Sequence, residues 1–184
     1  AALYPTTLDA QQQGRVIYIQ DTDAVTLTHL ILQHGSSLGQ GGGPSKSPFS
    51  GYYDAGAGLY ANNTNVNGQI TMQHCTLREN GTDARSYGGG AYILKTYNGV
   101  LIEATRFEGN GYYASSSSYN GYNIGGGLCV NASNGVTLRD SRFIQNASGS
   151  GGGLYFIAGY GGYGSDTLLE ALVFDGNRAY YDCG

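Results

Sequence analysis

The sequence has no tryptophan, only three prolines and three cysteines, and only 12% charged residues. No run of about 18 apolar residues occurs, so no membrane span is predicted. The nine basic residues are scattered and the formal net charge is −4, so no patch would neutralise a run of phosphates, and nucleic acid is excluded as an expected partner. No P-loop, dinucleotide fingerprint or Ser/His/Asp elbow appears, and no cofactor is predicted.

Glycine and tyrosine are abundant instead, with 32 and 17 residues. Together with a hydrophobic fraction of 40%, this composition favours strands and turns over helices, and folded structure over disorder. A chain of 184 residues is of ordinary size for one domain. We therefore expect a single domain over residues 1–184.

A repeat organises the chain. Five segments superpose on their apolar positions: VTLTHLILQHG from Val25, ITMQHCTLREN from Ile70, VLIEATRFEGN from Val100, VTLRDSRFIQN from Val136 and TLLEALVFDGN from Thr167. Glycine-led segments lie between them: AGAGLYA, GGGAYI, GGGLCV and GGGLYF. Short strands in repeats of roughly 20 to 50 residues predict a parallel β-helix, in which neighbouring coils pair about 4.8 Å apart.

The aligned repeats place similar residues in columns. Two apolar columns are predicted to face inward: Leu27, Met72, Ile102, Leu138 and Leu169, and Leu32, Leu77, Phe107, Phe143 and Phe174. A third, inward column contains Asn80, Asn110, Asn146 and Asn177. An asparagine at this bend can bond the bent backbone, tolerate a left-handed conformation and pair its amide with the next coil.

Four asparagines stand in N-x-S/T triplets, the acceptor pattern for N-linked glycans. Asn80 and Asn146 belong to the asparagine column, where burial would deny them to a glycosyltransferase. Asn62 and Asn131 lie outside that column and are the better candidates for glycosylation.

The pairing of FEGN, FIQN and FDGN with GGGAY, GGGLC and GGGLY resembles the FxxN and GGA(I/L/V) repeats of polymorphic outer-membrane-type surface proteins. The segment from Thr6 to Gly35 resembles the entry coil of bacterial extracellular parallel β-helix repeat proteins. The resemblance implies an all-β, right-handed parallel β-helix of about five coils and an extracellular or cell-surface location. It implies no single function, because this fold carries adhesins, passenger domains, surface fibres and polysaccharide-active enzymes. Gly35 replaces the ladder asparagine, so the first coil is expected to be irregular.

The variable connections are expected to emerge along one edge of the solenoid, and they are rich in tyrosine. Tyrosine offers rigid contact area to proteins and stacks on sugar rings. The candidate binding residues for a carbohydrate or protein ligand are Tyr52, Tyr53, Tyr87, Tyr112, Tyr113, Tyr119 and Tyr122. The alternative is that these rings only cover the solenoid. A second column, Tyr60, Tyr92 and Tyr155 interrupted by Cys129, is predicted to face outward and to be structural.

An enzyme that acts on polysaccharides would need clustered carboxylates on an outward strand face. One outward column contains Thr28, Gln73, Glu103, Arg139 and Glu170. Its two carboxylates would lie about 9 to 10 Å apart, at the edge of the range for inverting glycosidases. Because Arg139 lies between them, a chemically inert ion ladder is favoured, and no catalytic residue is assigned.

Metal ligands and disulfides are also not predicted. His29 and His74 share a column without a third ligand. Asp21 and Asp23 either bind calcium or, as the pattern favours, cap a turn. The cysteines are Cys75 in an inward column, Cys129 in the tyrosine column and Cys183 at the last corner, separations that exceed the reach of a disulfide.

Two functions of different classes remain open. The favoured hypothesis is a non-enzymatic extracellular β-helix that acts by assembly or adhesion, and the alternative is a module that binds or degrades polysaccharides. Neither end of the sequence shows a recognisable capping segment. The chain is therefore expected to be a segment of a longer solenoid or a subunit that stacks head to tail into a filament.

Overall fold

The computed structural model describes residues 4–40, 42–45, 52–63, 65–81, 86–94, 96–111, 124–131, 134–157 and 166–182. Every regular element in these ranges is a β-strand. Within the same ranges there is no helix that could cross a bilayer.

The strands are short and follow one another closely. In chain order they are β1 (Thr6–Asp9), β2 (Ile17–Gln20), β3 (Ala24–Thr28), β4 (Leu30–Gln33), β5 (Gly42–Ser45), β6 (Tyr52–Ala55), β7 (Leu59–Asn62), β8 (Gln69–Gln73), β9 (Thr76–Arg78) and β10 (Ser86–Tyr87). They continue with β11 (Ala91–Leu94), β12 (Val100–Glu103), β13 (Arg106–Glu108), β14 (Leu128–Asn131), β15 (Val136–Arg139), β16 (Arg142–Ile144), β17 (Ala147–Ser150), β18 (Leu154–Ile157), β19 (Thr167–Glu170), β20 (Val173–Asp175) and β21 (Arg178–Asp182).

Three parallel sheets contain most of these strands. Sheet I has the order β1-β4-β9-β13-β16-β20, sheet II the order β2-β7-β11-β14-β18 and sheet III the order β3-β8-β12-β15-β19. After β1, the chain passes through sheets II, III and I in that order each time, so each inner strand of these sheets pairs with strands of the previous and next pass. The remaining strands follow strands of sheet I along the chain: β5 pairs antiparallel with β6, and the pairs β6–β10 and β17–β21 are parallel.

The register of the strand pairs lines up the two apolar columns that the sequence predicted. Leu27, Met72, Ile102, Leu138 and Leu169 are successive partners in sheet III. In sheet I the partners are Leu32, Leu77, Phe107, Phe143 and Phe174. The phenylalanine rings stack with centroids 4.9 Å apart. The alignment of the repeats on their apolar positions is therefore confirmed.

A residue in the left-handed conformation divides each repeat segment into two strands. At the corner between sheets III and I these residues are His29, His74, Ala104, Asp140 and Ala171, with φ between 46° and 54°. A second left-handed residue immediately precedes the asparagine column: Glu79, Gly109, Gln145 and Gly176, with φ between 50° and 61°. This corrects the expectation that the asparagine itself turns the chain. The preceding residue makes the turn, so the asparagine can aim its own N–H and amide at the next pass.

The main core lies between the three sheets, and a smaller second core covers the outer face of sheet II. Tyr60, Tyr92 and Cys129 are register partners on that outer face. They are nevertheless buried, because Ala55 of β6 and Tyr87 of β10 pack over them. The tyrosine column therefore faces outward from sheet II, as predicted, and a second layer that the sequence did not indicate buries it.

Candidate functional site

The asparagine column is a continuous hydrogen-bonded ladder inside the molecule. Asn110 shows the pattern: its Nδ2 donates to Asn146 Oδ1 at 3.0 Å and to the Leu77 carbonyl at 2.8 Å, and its backbone N–H donates to the same Asn146 oxygen. Asn80 and Asn146 repeat this arrangement with Asn110 and Asn177 as their acceptors. Both amide protons of each donor are used, and the side chains of Asn80 and Asn146 are fully buried in the folded chain.

The third glycine of each glycine-led segment packs against this ladder. A Cβ atom at Gly90 would lie 3.1 Å from the Asn110 side chain, and one at Gly127 would lie 3.1 Å from the Asn146 side chain. The same positions would meet a neighbouring glycine carbonyl at 2.4 and 2.5 Å. A side chain at either glycine would therefore displace the ladder and the neighbouring backbone.

The two candidate glycosylation sites lie at the ends of β7 and β14. Asn62 and Asn131 are both half-buried. The Asn131 Nδ2, the atom that would carry a glycan, donates to the buried Tyr92 hydroxyl at 3.3 Å. A glycan at Asn131 would therefore compete with an existing contact to the second core.

The predicted tyrosine-rich binding edge is only partly within the described residues. Tyr52 and Tyr53 belong to β6, while Tyr112, Tyr113, Tyr119 and Tyr122 lie outside the described ranges. Tyr87 is placed differently from the prediction: it is 7% exposed, and its ring centroid lies 5.9 Å from that of Tyr92. Tyr87 belongs to the second core and offers no exposed ring to a ligand, because β10 pairs with β6 above sheet II.

Among the described residues, the outward charged column of sheet III contains one ion pair and one hydrogen bond to it. Glu103 accepts from Gln73 Nε2 at 2.7 Å and pairs with the Arg139 guanidinium at 2.7 Å. The Gln73 bond and, after it, the charge of Arg139 lower the pKa of the Glu103 carboxyl. A general acid needs a raised carboxyl pKa, so Glu103 is poorly suited to the acid role in glycoside hydrolysis.

The remaining candidate ligands do not converge on a metal. The His29 and His74 rings lie 5.0 Å apart, and within the described ranges no three His, Cys, Asp or Glu side chains form a group that could hold a metal ion. The Asp23 carboxylate accepts from Asn65 Nδ2 and the Asp23 carbonyl accepts from Asn63 Nδ2, so both bonds join Asp23 to the next pass. Cys75 and Cys129 are buried thiols whose pKa values are raised by burial, and Cys183 lies outside the described residues.

Two carboxylates contact His34 and connect β1 to the neighbouring strands of sheet I. This acidic cluster was not predicted from the sequence. The Nδ1 of His34 lies 3.0 Å from Asp9 Oδ2 and its Nε2 lies 2.9 Å from Glu79 Oε2. Asp9 also accepts from the Gln11 backbone N–H and from Gln33 Nε2. These bonds lower the pKa of Asp9 to about 2. The sequence signal for this strand was the short segment Thr7-Leu8-Asp9, whose residues pair in register with Ile31, Leu32 and Gln33.

The β19–β20 end of the sheets leaves apolar residues uncovered. Leu169 is 51% exposed and Phe174 is 53% exposed, although their column partners Leu138 and Phe143 are fully buried. Leu168 and Val173 on the same two strands are also exposed. At the opposite end, β1 lies over β4, and the half-buried residues Ile17, Val25 and Leu27 border the core. Within the described residues, the β19–β20 end therefore exposes its apolar columns, whereas β1 covers part of the opposite end.

The chain matches no protein-family model, and comparisons with curated proteins and with solved structures likewise give no match.

Proposed function

We propose that this chain is a right-handed parallel β-helix that serves as a non-enzymatic structural protein outside the cell or at its surface. In this proposal, copies of the chain associate head to tail, with the β19–β20 end of one copy against the β2–β3 end of the next. The single observation that carries the proposal is the exposure of Leu169 and Phe174 at positions that are fully buried in the preceding pass. Contiguous apolar surface of this kind marks an interaction site.

The second copy is favoured as the occupant because the two ends carry the same columns. In sheet II, Ile17 and Ile19 of β2 occupy the columns of Leu154 and Phe156 of β18. In sheet III, Leu27 of β3 occupies the column of Leu169.

The strand edges and outer columns match as well. Since all strands of these sheets run parallel, β18 and β19 of one copy can pair with β2 and β3 of another without reversing direction. The exposed ring of Tyr18 could continue the stack that it begins with Tyr60, by meeting Tyr155 of the neighbouring copy. Such a contact is heterologous and propagates as a filament.

Sedimentation velocity over a concentration series, between about pH 5 and pH 9, together with electron microscopy, tests this assembly. Leu169→Glu and Phe174→Glu should abolish association, because each places a charge in the apolar contact. The matched control is Tyr97→Glu, which changes a residue that is 46% exposed and lies between β11 and β12, in the middle of the stack of passes, and it should associate like the wild type.

Three results would contradict the proposed end-to-end contact. Association that survives both end variants would place the contact elsewhere, and loss of association in Tyr97→Glu would indicate a general effect of charge. A wild-type protein that stays monomeric throughout would favour a surface module that acts through its loops. The polysaccharide alternative gains no support from the charged column, since Glu103 is ion-paired and its carboxyl pKa is lowered.

A further inference from the structure

The three sheets do not contain equal numbers of strands. Sheet I has six strands, whereas sheets II and III have five each. The additional strand is β1, which pairs with the outer edge of β4. Because neighbouring strands lie about 4.8 Å apart, β1 projects one strand spacing beyond β2 and β3. The end that would receive the next copy is therefore stepped.

This step conflicts with head-to-tail stacking. If β18 of a second copy pairs with β2, and β19 pairs with β3, then β20 of that copy reaches the edge of β4. That edge is already occupied by β1, whose residues Thr6 to Asp9 are in register with Leu30 to Gln33. All three sheets can be continuous across the junction only when β1 has left.

We propose that β1 is a displaceable strap that blocks head-to-tail stacking while it is paired with β4, and that protonated His34 fastens it there. This inference rests on the end-to-end association proposed above. It assigns to β1 the role of an autoinhibitory strand, whose position in sheet I is taken by β20 of the incoming copy.

The contacts that hold β1 on β4 are few, so the strand can detach from the sheet. It pairs on one edge only, and three of its four side chains are exposed, with Leu8 alone half-buried against the core. Its departure would uncover Leu32, which is now fully buried. Leu32 belongs to the column that ends in Phe174, so release of β1 creates the apolar partner for the β19–β20 end.

The fastening is concentrated at Asp9, the last residue of the strap. The charged groups that face His34 are Asp9 from β1 and Glu79 from the turn after β9, and Arg78 reaches the same network through two bonds to Gln33. Gln33 in turn donates to Asp9. A protonated His34 donates to both carboxylates, whereas a neutral ring can donate to only one of them. Loss of the proton therefore removes one of the two contacts.

The direction of the pH dependence follows from the two titrating groups. The bonds to Asp9 and then Glu79 raise the pKa of His34 above the ordinary histidine value of 6.5. The fastening is therefore complete below that value and is lost as the pH rises through the raised pKa. Asp9, with a pKa of about 2, stays charged throughout this range and would lose its contribution only as the pH falls toward that value. Alkaline solution should favour release of β1 and hence stacking.

A reversible disulfide between β1 and β4, called the lock, tests whether association requires β1 to leave. Thr7 and Ile31 are register partners on neighbouring strands, and the Cα spacing of about 4.8 Å suits a disulfide. The double variant Thr7→Cys, Ile31→Cys should remain monomeric when oxidised, and reduction should restore association measured by sedimentation velocity. His34→Gln, which cannot become charged, should associate equally at about pH 5.5 and about pH 9, whereas the apparent Kd of the wild type should be about tenfold lower at the higher pH.

The outcomes separate the strap from the assembly itself. If the oxidised lock associates as readily as its reduced form, the strap is overturned and head-to-tail association stands. If neither form associates at any pH, and His34→Gln is also monomeric, the end-to-end association is overturned together with the blocking role of β1. An unchanged pH response in His34→Gln would remove His34 from the mechanism. Hydrogen exchange of the β1 peptide, compared between the wild type and Asp9→Asn at one pH, reads the release of the strand directly.

Discussion

At the scale of single residues, the asparagine ladder combines a buried polar group with complete hydrogen bonding. Asn146 is fully buried, donates both amide protons and accepts two bonds from Asn110. Buried polar groups are costly unless they are bonded, and a fully satisfied network makes the surrounding structure specific. The ladder thereby fixes the register between successive passes at the corner after sheet I.

Asn146→Ala should therefore destabilise the protein strongly. It leaves the Asn110 N–H, one proton of the Asn110 amide and the Phe107 carbonyl without their present partner. Each buried group left unsatisfied costs about 1–3 kcal/mol, so we expect the free energy of unfolding to fall by about 3 kcal/mol or more. Denaturant unfolding measures this change. Asn131→Ala is the control, since that half-buried side chain makes a bond of 3.3 Å to Tyr92, and an equal loss in both variants would contradict the ladder's importance.

At the scale of elements, each strand gains most of its stability from the strands of the neighbouring passes. Strands of three to five residues such as β13 and β16 have little stability alone. They pair on both edges and place Phe107 and Phe143 in one stack, with the ring planes only 2° apart. A strand at the end of a sheet has only one such neighbour, so the same residue type contributes differently along one column.

Phe143 and Phe174 provide a matched comparison, because they have the same side chain in the same column. Phe143→Ala should cost about 3–5 kcal/mol, since it empties a fully buried position between two stacked rings. Phe174→Ala should cost clearly less, because its ring is 53% exposed and stacks on one side only. Melting temperatures of the two variants, measured on monomeric protein, test this order. Equal shifts would mean that Phe174 is covered in solution.

At the scale of the whole molecule, the described chain is an array whose two ends differ. One end has β1 fastened by Asp9 and His34, whereas the other presents β19 and β20 with every residue exposed. Arrays of repeats hold together through contacts between neighbours, and they need polar terminal repeats to stay soluble alone. If copies stack as proposed, the uncovered β19–β20 end is the part of the molecule where association would add to stability.

Amide hydrogen exchange should be slowest in the central passes and faster toward the uncovered end of the sheets. We expect the amides of β12 and β13 to be the best protected, because both strands pair on two edges and contribute fully buried residues. Protection should fall toward β19 and β20, which pair on one edge and are exposed. Raising the protein concentration should increase protection in β19 and β20 if copies stack. Uniform protection in dilute monomer would contradict the gradient.

The amino-acid sequence by itself determined the strand content, the repeat and the register of the inward columns. Apolar residues recur at alternate positions of each repeat segment, and only one alignment brings Ile102 beside Leu138 and Phe107 beside Phe143. This information is local and periodic, so it can be read from the sequence without knowing how the three sheets pack together.

The tertiary structure alone decided what lies over the outer faces and how the ends are arranged. The burial of Tyr87 and Tyr92 depends on β6 and β10 folding across sheet II, and these strands lie in variable connections that carry no repeat. The cluster of Asp9, His34 and Glu79 joins three parts of the chain that are distant in sequence. Such contacts arise from pairing between passes rather than from any local pattern, because a parallel strand meets its neighbour only after the chain has travelled through two other sheets.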